Sequence, residues 1–101
     1  MDHMLLNYYA RLKSDLALSN FVINYAVVIH EKILETRFGN GRDPFLIALT
    51  CIYAASKHSE VPRTLKEVSL AGNFQRKDIA RCYRLFLKNR AEIGFVKPPW
   101  Y

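Results

Sequence analysis

The sequence predicts an all-α domain of five helices, built around a buried third helix. The first observation is the stretch from Phe45 to Ala55, which is apolar or small at every position except Thr50. It lacks the period-2 alternation of a strand, its alanines favour a helix, and Thr50 can satisfy its hydroxyl on its own helix backbone. The second observation is that apolar residues elsewhere recur at spacings of three and four, as in amphipathic helices. A helix that is apolar on all sides must be covered by neighbours, and this one is well short of the roughly 20 residues of a membrane span.

Two amphipathic helices are predicted before the central one. The first is interrupted at Leu18-Ser19-Asn20, and the second runs from about Ser19 to Arg37. Phe38 ends the second pattern, and Gly39-Asn40-Gly41 is expected to supply the positive φ angles that stop a helix. The apolar faces consist of Leu5, Tyr8, Tyr9, Leu12 and Leu16 in the first helix and of Val22, Tyr25, Ala26, Ile29 and Ile33 in the second.

Capping signals bound the third and fourth helices. Asp43-Pro44 predicts an N-cap followed by proline at the first helical position, and the third helix is expected to run to about Ser59. Val61-Pro62 forces an extended step, because the residue before a proline avoids the helical region. Thr64 and Glu67 then have the spacing of a capping box, which opens a short fourth helix that ends near Gly72-Asn73.

The fifth helix is expected from about Gln75 to Ala91, and residues 95–101 (FVKPPWY) to leave the domain as an extended tail. There are no internal repeats or low-complexity tracts. Residues 1–101 are therefore predicted to form a single domain.

The net charge of +6 lies entirely in the second half of the chain. Residues 1–56 hold five basic and five acidic side chains, whereas residues 57–101 hold ten basic and four acidic ones. This asymmetry suggests a polyanionic or acidic partner for the second half. A solvated, solubilising surface would produce the same imbalance, and charge alone does not separate the two.

The fifth helix concentrates four cations on one face. Lys77, Arg81, Arg84 and Lys88 occupy positions i, i+4, i+7 and i+11, which places them within about 60° of arc. We call these four residues the basic row and expect it to dock on phosphates or on an acidic protein; an ordinary amphipathic surface helix is the alternative. The short helix, tight turn and basic helix resemble a helix-turn-helix, which adds Arg63, Lys66 and Arg76 as candidate DNA contacts. With Gln75 as the one amide nearby, backbone contact is favoured over base readout.

Catalytic and metal-binding patterns are not found. His30-Glu31 begins like HExxH, but Leu34 replaces the second histidine, so His30 is expected on the flank of its helix. Cys51 and Cys82 sit among apolar residues, and neither looks like an activated nucleophile. We therefore expect no enzyme activity, metal, cofactor, small-molecule substrate or membrane association. Cysteine usage fits a reducing, intracellular setting.

Several stretches resemble the first cyclin-like repeat of transcription factor IIB and its archaeal homologue TFB. These are VPRTLKEV (61–68), KDIARCYRLFLK (77–88), IYAAS (52–56), the Gly41-Arg42 step and the FVKP stretch near the end. The resemblance implies a cyclin fold around the third helix. It also implies a role in transcription initiation beside the TATA-binding protein, on promoter DNA, in contact with RNA polymerase, in the archaeal cytoplasm or a eukaryotic nucleus.

The resemblance also assigns expected roles to individual residues. The family's Gly-Arg loop approaches the DNA minor groove, which carries over to Gly41 and Arg42. The family's basic fifth helix docks on partners in the initiation complex, which carries over to Lys77, Arg81, Arg84 and Lys88.

The chain departs from the family in several respects, including Gly72 and Gln75 at positions where the family usually includes a serine cap. The zinc ribbon and the second repeat have no counterpart in the 101 residues, so either an excised repeat or a trimmed paralogue fits. Asp43 stands beside the proposed DNA loop, where its charge would weaken phosphate contact unless it caps the third helix. A protein-only interaction module, without DNA contact, is the alternative function. A kinase-binding cyclin is a third, disfavoured by the VPRT-type turn and the FVKP tail.

Overall fold

The computed structural model describes residues 2–59 and 61–90, and all regular secondary structure in these ranges is helical. Five α-helices and one short 3₁₀ helix follow each other along the chain, so the predicted all-α, five-helix fold is confirmed. The expected tail at 95–101 lies outside the described residues. The elements are α1 (His3–Asp15), α2 (Asn20–Leu34), the 3₁₀ helix (Arg37–Gly39), α3 (Pro44–Ser56), α4 (Leu65–Gly72) and α5 (Arg76–Lys88).

Helix α3 is the centre of the fold, as predicted. It packs against α1, α2, α4 and α5. From Ile47 to Ser56 its side chains are buried, except for the half-buried Tyr53. Thr50 donates its hydroxyl to the carbonyl oxygen of Leu46 at 2.8 Å, so the one polar residue in the stretch is satisfied within its own helix. Burial of apolar surface from all sides is what stabilises this arrangement.

The predicted caps are present. The Asp43 carboxylate accepts a hydrogen bond from the Phe45 amide at 2.9 Å, with Pro44 opening α3. Thr64 and Glu67 form both hydrogen bonds of a capping box. These bonds to Thr64 lower the pKa of the Glu67 carboxyl.

The end of α2 differs from the prediction. The helix stops at Leu34, and the Thr36 hydroxyl starts a 3₁₀ turn by accepting from the Phe38 amide and donating to the Ile33 carbonyl. Positive φ angles were expected across Gly39-Asn40-Gly41. Gly41 has a φ of 73°, whereas Asn40 is extended. A threonine side chain that competes for backbone groups thus ends the helix earlier than the glycines would.

Helix α4 is tied to α1 at both ends by side chains that bind helix carbonyls. At one end, Tyr8 donates to the Gly72 carbonyl at 2.8 Å and Arg11 to the Ala71 carbonyl at 3.1 Å. At the other end, Arg63 donates to the carbonyls of Leu16 and Ala17 at 2.7 and 2.9 Å. The two helices therefore run antiparallel, and each C-terminus receives a donor from the other side of the interface.

Helix α5 begins after a tight turn in which Asn73 adopts the left-handed conformation, with φ of 61°. Ile79, Cys82 and Phe86 face the core. The predicted start near Gln75 is confirmed, since Gln75 is the N-cap. The helix ends at Lys88, where Asn89 is the C-cap, and so stops earlier than the predicted end near Ala91. None of the helices in the described ranges has the length and apolar character needed to cross a membrane.

Candidate docking surface

The basic row faces solvent. Lys77, Arg81, Arg84 and Lys88 are all exposed, while the opposite side of α5 is buried. In residues 2–59 and 61–90 the salt bridge that forms is Arg11 with Asp15 on α1, so no carboxylate of the described chain forms an ion pair with the row. Four uncompensated cations on one helix face repel each other weakly and are available to an anionic partner.

A groove joins the row to the loop before α3. It has a volume of about 230 Å³, and its walls are the loop residues 41–43, Leu46 and Ile47 of α3, and the α5 residues Asp78, Arg81, Cys82 and Leu85. The structure thus brings Gly41 and Arg42 next to Arg81, although these candidates were predicted for separate roles. Two carboxylates, of Asp43 and Asp78, line the same groove.

A second groove continues along α5. It has a volume of about 390 Å³ and is lined by Arg81, Arg84 and Lys88 together with Leu85 and Leu87. Because Arg81 and Leu85 line both grooves, the loop forms one continuous surface with Arg81, Arg84 and Lys88 of the basic row, whereas Lys77 lines neither groove. We call it the α5 surface, and it mixes cations with apolar side chains.

Arg42 is held in a defined position at one end of this surface. Its Nε donates to the Phe38 carbonyl at 2.9 Å, and its guanidinium carbon lies 4.5 Å from the centroid of the Phe38 ring. Gly41 beside it has open space around the position of a Cβ, so glycine is required there by its φ of 73° and not by crowding.

The other three candidate DNA contacts do not line either groove. Lys66 and Arg76 are exposed. Arg63 is half-buried and donates to three carbonyls, those of Leu16, Val61 and Ala17. Its guanidinium therefore serves the α1–α4 interface, and a DNA role for these three residues stays a prediction.

The prediction that His30 lies on a helix flank was wrong. His30 is fully buried, and its Nδ1 is 2.7 Å from the Tyr9 hydroxyl. Burial lowers the pKa of this imidazole from 6.5 to about 4. Position 30 follows Ala26 by four residues and precedes Ile33 by three, so the apolar stripe of α2 could have placed it inside.

Both cysteines are buried thiols. Burial raises the pKa of Cys51 well above its ordinary value and also raises that of Cys82. Thiols of this kind are poor nucleophiles, as the sequence predicted. Within the described ranges, His, Cys, Asp and Glu do not gather into a group of three or more that could hold a metal ion.

Comparison with known proteins decides the family. The model of the transcription factor TFIIB repeat matches residues 6–89, from within α1 to beyond the end of α5. The chain belongs to the TFIIB repeat family. The resemblance inferred from the sequence is confirmed, and the cyclin-like fold around α3 agrees with it.

Relatives in archaea and in a eukaryote are similar over most of this chain. Transcription initiation factor IIB 6 of Halobacterium salinarum is 34% identical over 88% of the chain, which is 27% of that protein. Transcription initiation factor IIB of Archaeoglobus fulgidus is 35% identical over 88% of the chain and 26% of its own length. The Encephalitozoon cuniculi factor is 37% identical over 67% of the chain and 22% of its length. The chain thus spans about a quarter of the length of the TFIIB relatives that it matches.

Proposed function

We propose that this chain is a core module of a transcription initiation assembly, which docks on TATA-binding protein, promoter DNA and RNA polymerase through the α5 surface. Membership of the TFIIB repeat family and relatives named as initiation factors support this class of function. The observation that carries it is the continuity of the Gly41-Arg42 loop with the basic row. No catalytic step is assigned to the module.

DNA contact through the phosphate backbone suits the chemistry of the surface. Arg42, Arg81, Arg84 and Lys88 line it, and cations that neutralise phosphates release counterions. Asp43 and Asp78 oppose this contact, but the Asp43 carboxylate is engaged in capping α3, where it complements the helix N-terminus. Backbone contact without base readout is therefore the proposed mode.

A protein-only docking module is the second candidate, and the leucines of α5 favour it. Leu87 is 39% exposed, and it lines the second groove together with Leu85 and three cations. Apolar side chains between cations fit an acidic protein surface better than a row of phosphates, because they can be buried against apolar groups of the partner. TATA-binding protein or an RNA polymerase subunit would be the partner in that case.

A gel-shift experiment separates the two candidates. The domain is mixed with TATA-binding protein, with promoter DNA, and with both. The proposed function requires that it joins the complex of both and that it retards DNA alone weakly at low salt. Binding to TATA-binding protein alone, with no DNA retardation at any salt, would favour the protein-only module.

A matched pair of variants tests the surface itself. Arg81→Glu with Arg84→Glu should abolish complex formation while leaving thermal stability nearly unchanged, because both side chains are exposed. Lys13→Glu with Lys32→Glu changes the net charge by the same amount on α1 and α2 and should retain binding. Equal loss in both variants would mean that net charge, and not the α5 surface, governs docking.

A further inference from the structure

We propose that Phe38 is the positioning residue that holds the Arg42 guanidinium ready for its partner, an inference that rests on the proposed role of the Gly41-Arg42 loop. Phe38 contacts Arg42 twice. Its carbonyl accepts from Nε at 2.9 Å, and its ring lies under the guanidinium at 4.5 Å. A planar guanidinium can be stacked and hydrogen-bonded at once, which a lysine ammonium cannot reproduce.

Phe38 is itself fixed by the core. Its side chain is 7% exposed, and its ring meets Phe86 of α5 edge-on at a centroid distance of 5.2 Å. Its amide donates to the Thr36 hydroxyl at 3.2 Å, which anchors the 3₁₀ turn. Arg42 is thus attached to a rigid support even though the residue itself is exposed on a loop.

The contacts with Phe38 leave the terminal amino groups of Arg42 available to a partner. The contact to the Phe38 carbonyl engages Nε, and the two terminal amino groups remain as donors for phosphate or minor-groove acceptors. An arginine that is already ordered loses less side-chain entropy when it binds. Because Phe86 and the basic row belong to the same helix, the Phe38–Phe86 contact also fixes Arg42 relative to Arg81 across the first groove.

The free protein tests the positioning without any partner. Nuclear magnetic resonance measures exchange of the Arg42 Nε proton with water in the wild type and in Phe38→Leu, which removes the ring. Exchange should accelerate about fivefold, as loss of a contact of about 1 kcal/mol predicts. Phe38→Tyr keeps a ring and should restore slow exchange. Unchanged exchange in Phe38→Leu would overturn the proposal.

Leu12→Ala is the control for general loosening, since it empties a fully buried position on α1 and leaves the Phe38–Phe86 pair in place. It should lower stability at least as much as Phe38→Leu does but leave the Arg42 signal slow. If Leu12→Ala accelerates exchange equally, the effect is general loosening of the core and Phe38 has no special role.

A promoter DNA titration then connects the positioning to binding. Phe38→Leu should weaken DNA binding about threefold to tenfold, and combining it with Arg42→Gln should add nothing beyond Arg42→Gln alone. Additive losses would show that the two residues act independently and would overturn the proposal. If the wild type does not bind DNA, the DNA part of the proposed function fails, whereas the exchange data still decide whether Phe38 holds Arg42.

Discussion

His30 shows how one residue can set the pH dependence of the fold. Its imidazole is fully buried on α2 beside the Tyr9 hydroxyl, and its pKa is lowered from 6.5 to about 4. Between these pH values the unfolded chain binds a proton that the folded chain excludes, so stability is present above pH 6.5 and is lost as the pH falls towards 4. The full loss is about 3 kcal/mol, because the pKa of His30 differs by about 2.5 between the unfolded and folded chain.

Urea unfolding between pH 7 and 5 checks this prediction. The wild type should lose stability across this window, above the range in which most carboxylates titrate. His30→Gln should be less stable at pH 7, with a flatter dependence on pH, and the exposed His3→Gln should behave like the wild type. A His30→Gln curve parallel to that of the wild type would contradict the assignment.

Helix α4 shows how polar contacts can add to the packing of a short element. It buries Val68 and Gly72, and a Cβ at Gly72 would lie 2.3 Å from the Leu49 side chain. Tyr8, Arg11 and Arg63 supply further attachment through carbonyls at the ends of α4 and α1. The attachment of α4 to α1 therefore depends on pairs of residues that lie far apart in sequence.

Arg63→Gln should lower the free energy of unfolding by roughly 1–2 kcal/mol, because it removes charge-assisted hydrogen bonds to the C-terminus of α1. Hydrogen exchange should lose protection in α1 and α4 before α2 and α3. Lys66 is an exposed cation on α4 itself, so Lys66→Gln is the control. It should change neither the free energy of unfolding nor the protection from hydrogen exchange. If Arg63→Gln leaves stability intact but weakens DNA binding, the sequence-based DNA role of Arg63 would be the correct one.

At the scale of the whole molecule, the cations of the α5 surface lie outside the apolar core around α3. The α5 surface gathers cations from the loop before α3 and from α5, while the excess charge of the chain lies in its second half. If about four phosphates are contacted, log K should fall against log salt with a slope of about −3 to −4.

The slope is measured by titrating promoter DNA at several salt concentrations. Replacing Arg81 and Arg84 by glutamine should reduce its magnitude by about 2, one for each lost phosphate contact. The control pair Lys13→Gln and Lys32→Gln should leave the slope unchanged. Binding that does not depend on salt would contradict backbone contact.

The sequence predicted those features that depend on neighbours along the chain. The caps at Asp43 and Thr64 follow from residues within one turn of each other, and the basic row from residues within about three turns. The bonds from Arg63 to Leu16 and from Arg42 to Phe38 could not be predicted in the same way. The first spans 47 positions, and the second depends on a 3₁₀ turn that Thr36 creates inside the predicted helix. The polarity of an imidazole suggests the flank of a helix, whereas the place of His30 in the apolar stripe of α2 puts it inside.

The central position of α3 has a consequence for how the protein is made. Helices α4 and α5 both cover α3, and both follow it along the chain. A nascent chain that has emerged as far as Ser56 therefore presents an apolar helix while α4 and α5 are still inside the ribosome, at the stage when exposed apolar surface is most prone to aggregate. We expect the growing polypeptide to engage chaperones most strongly at this point and to be released once α5 has left the ribosome.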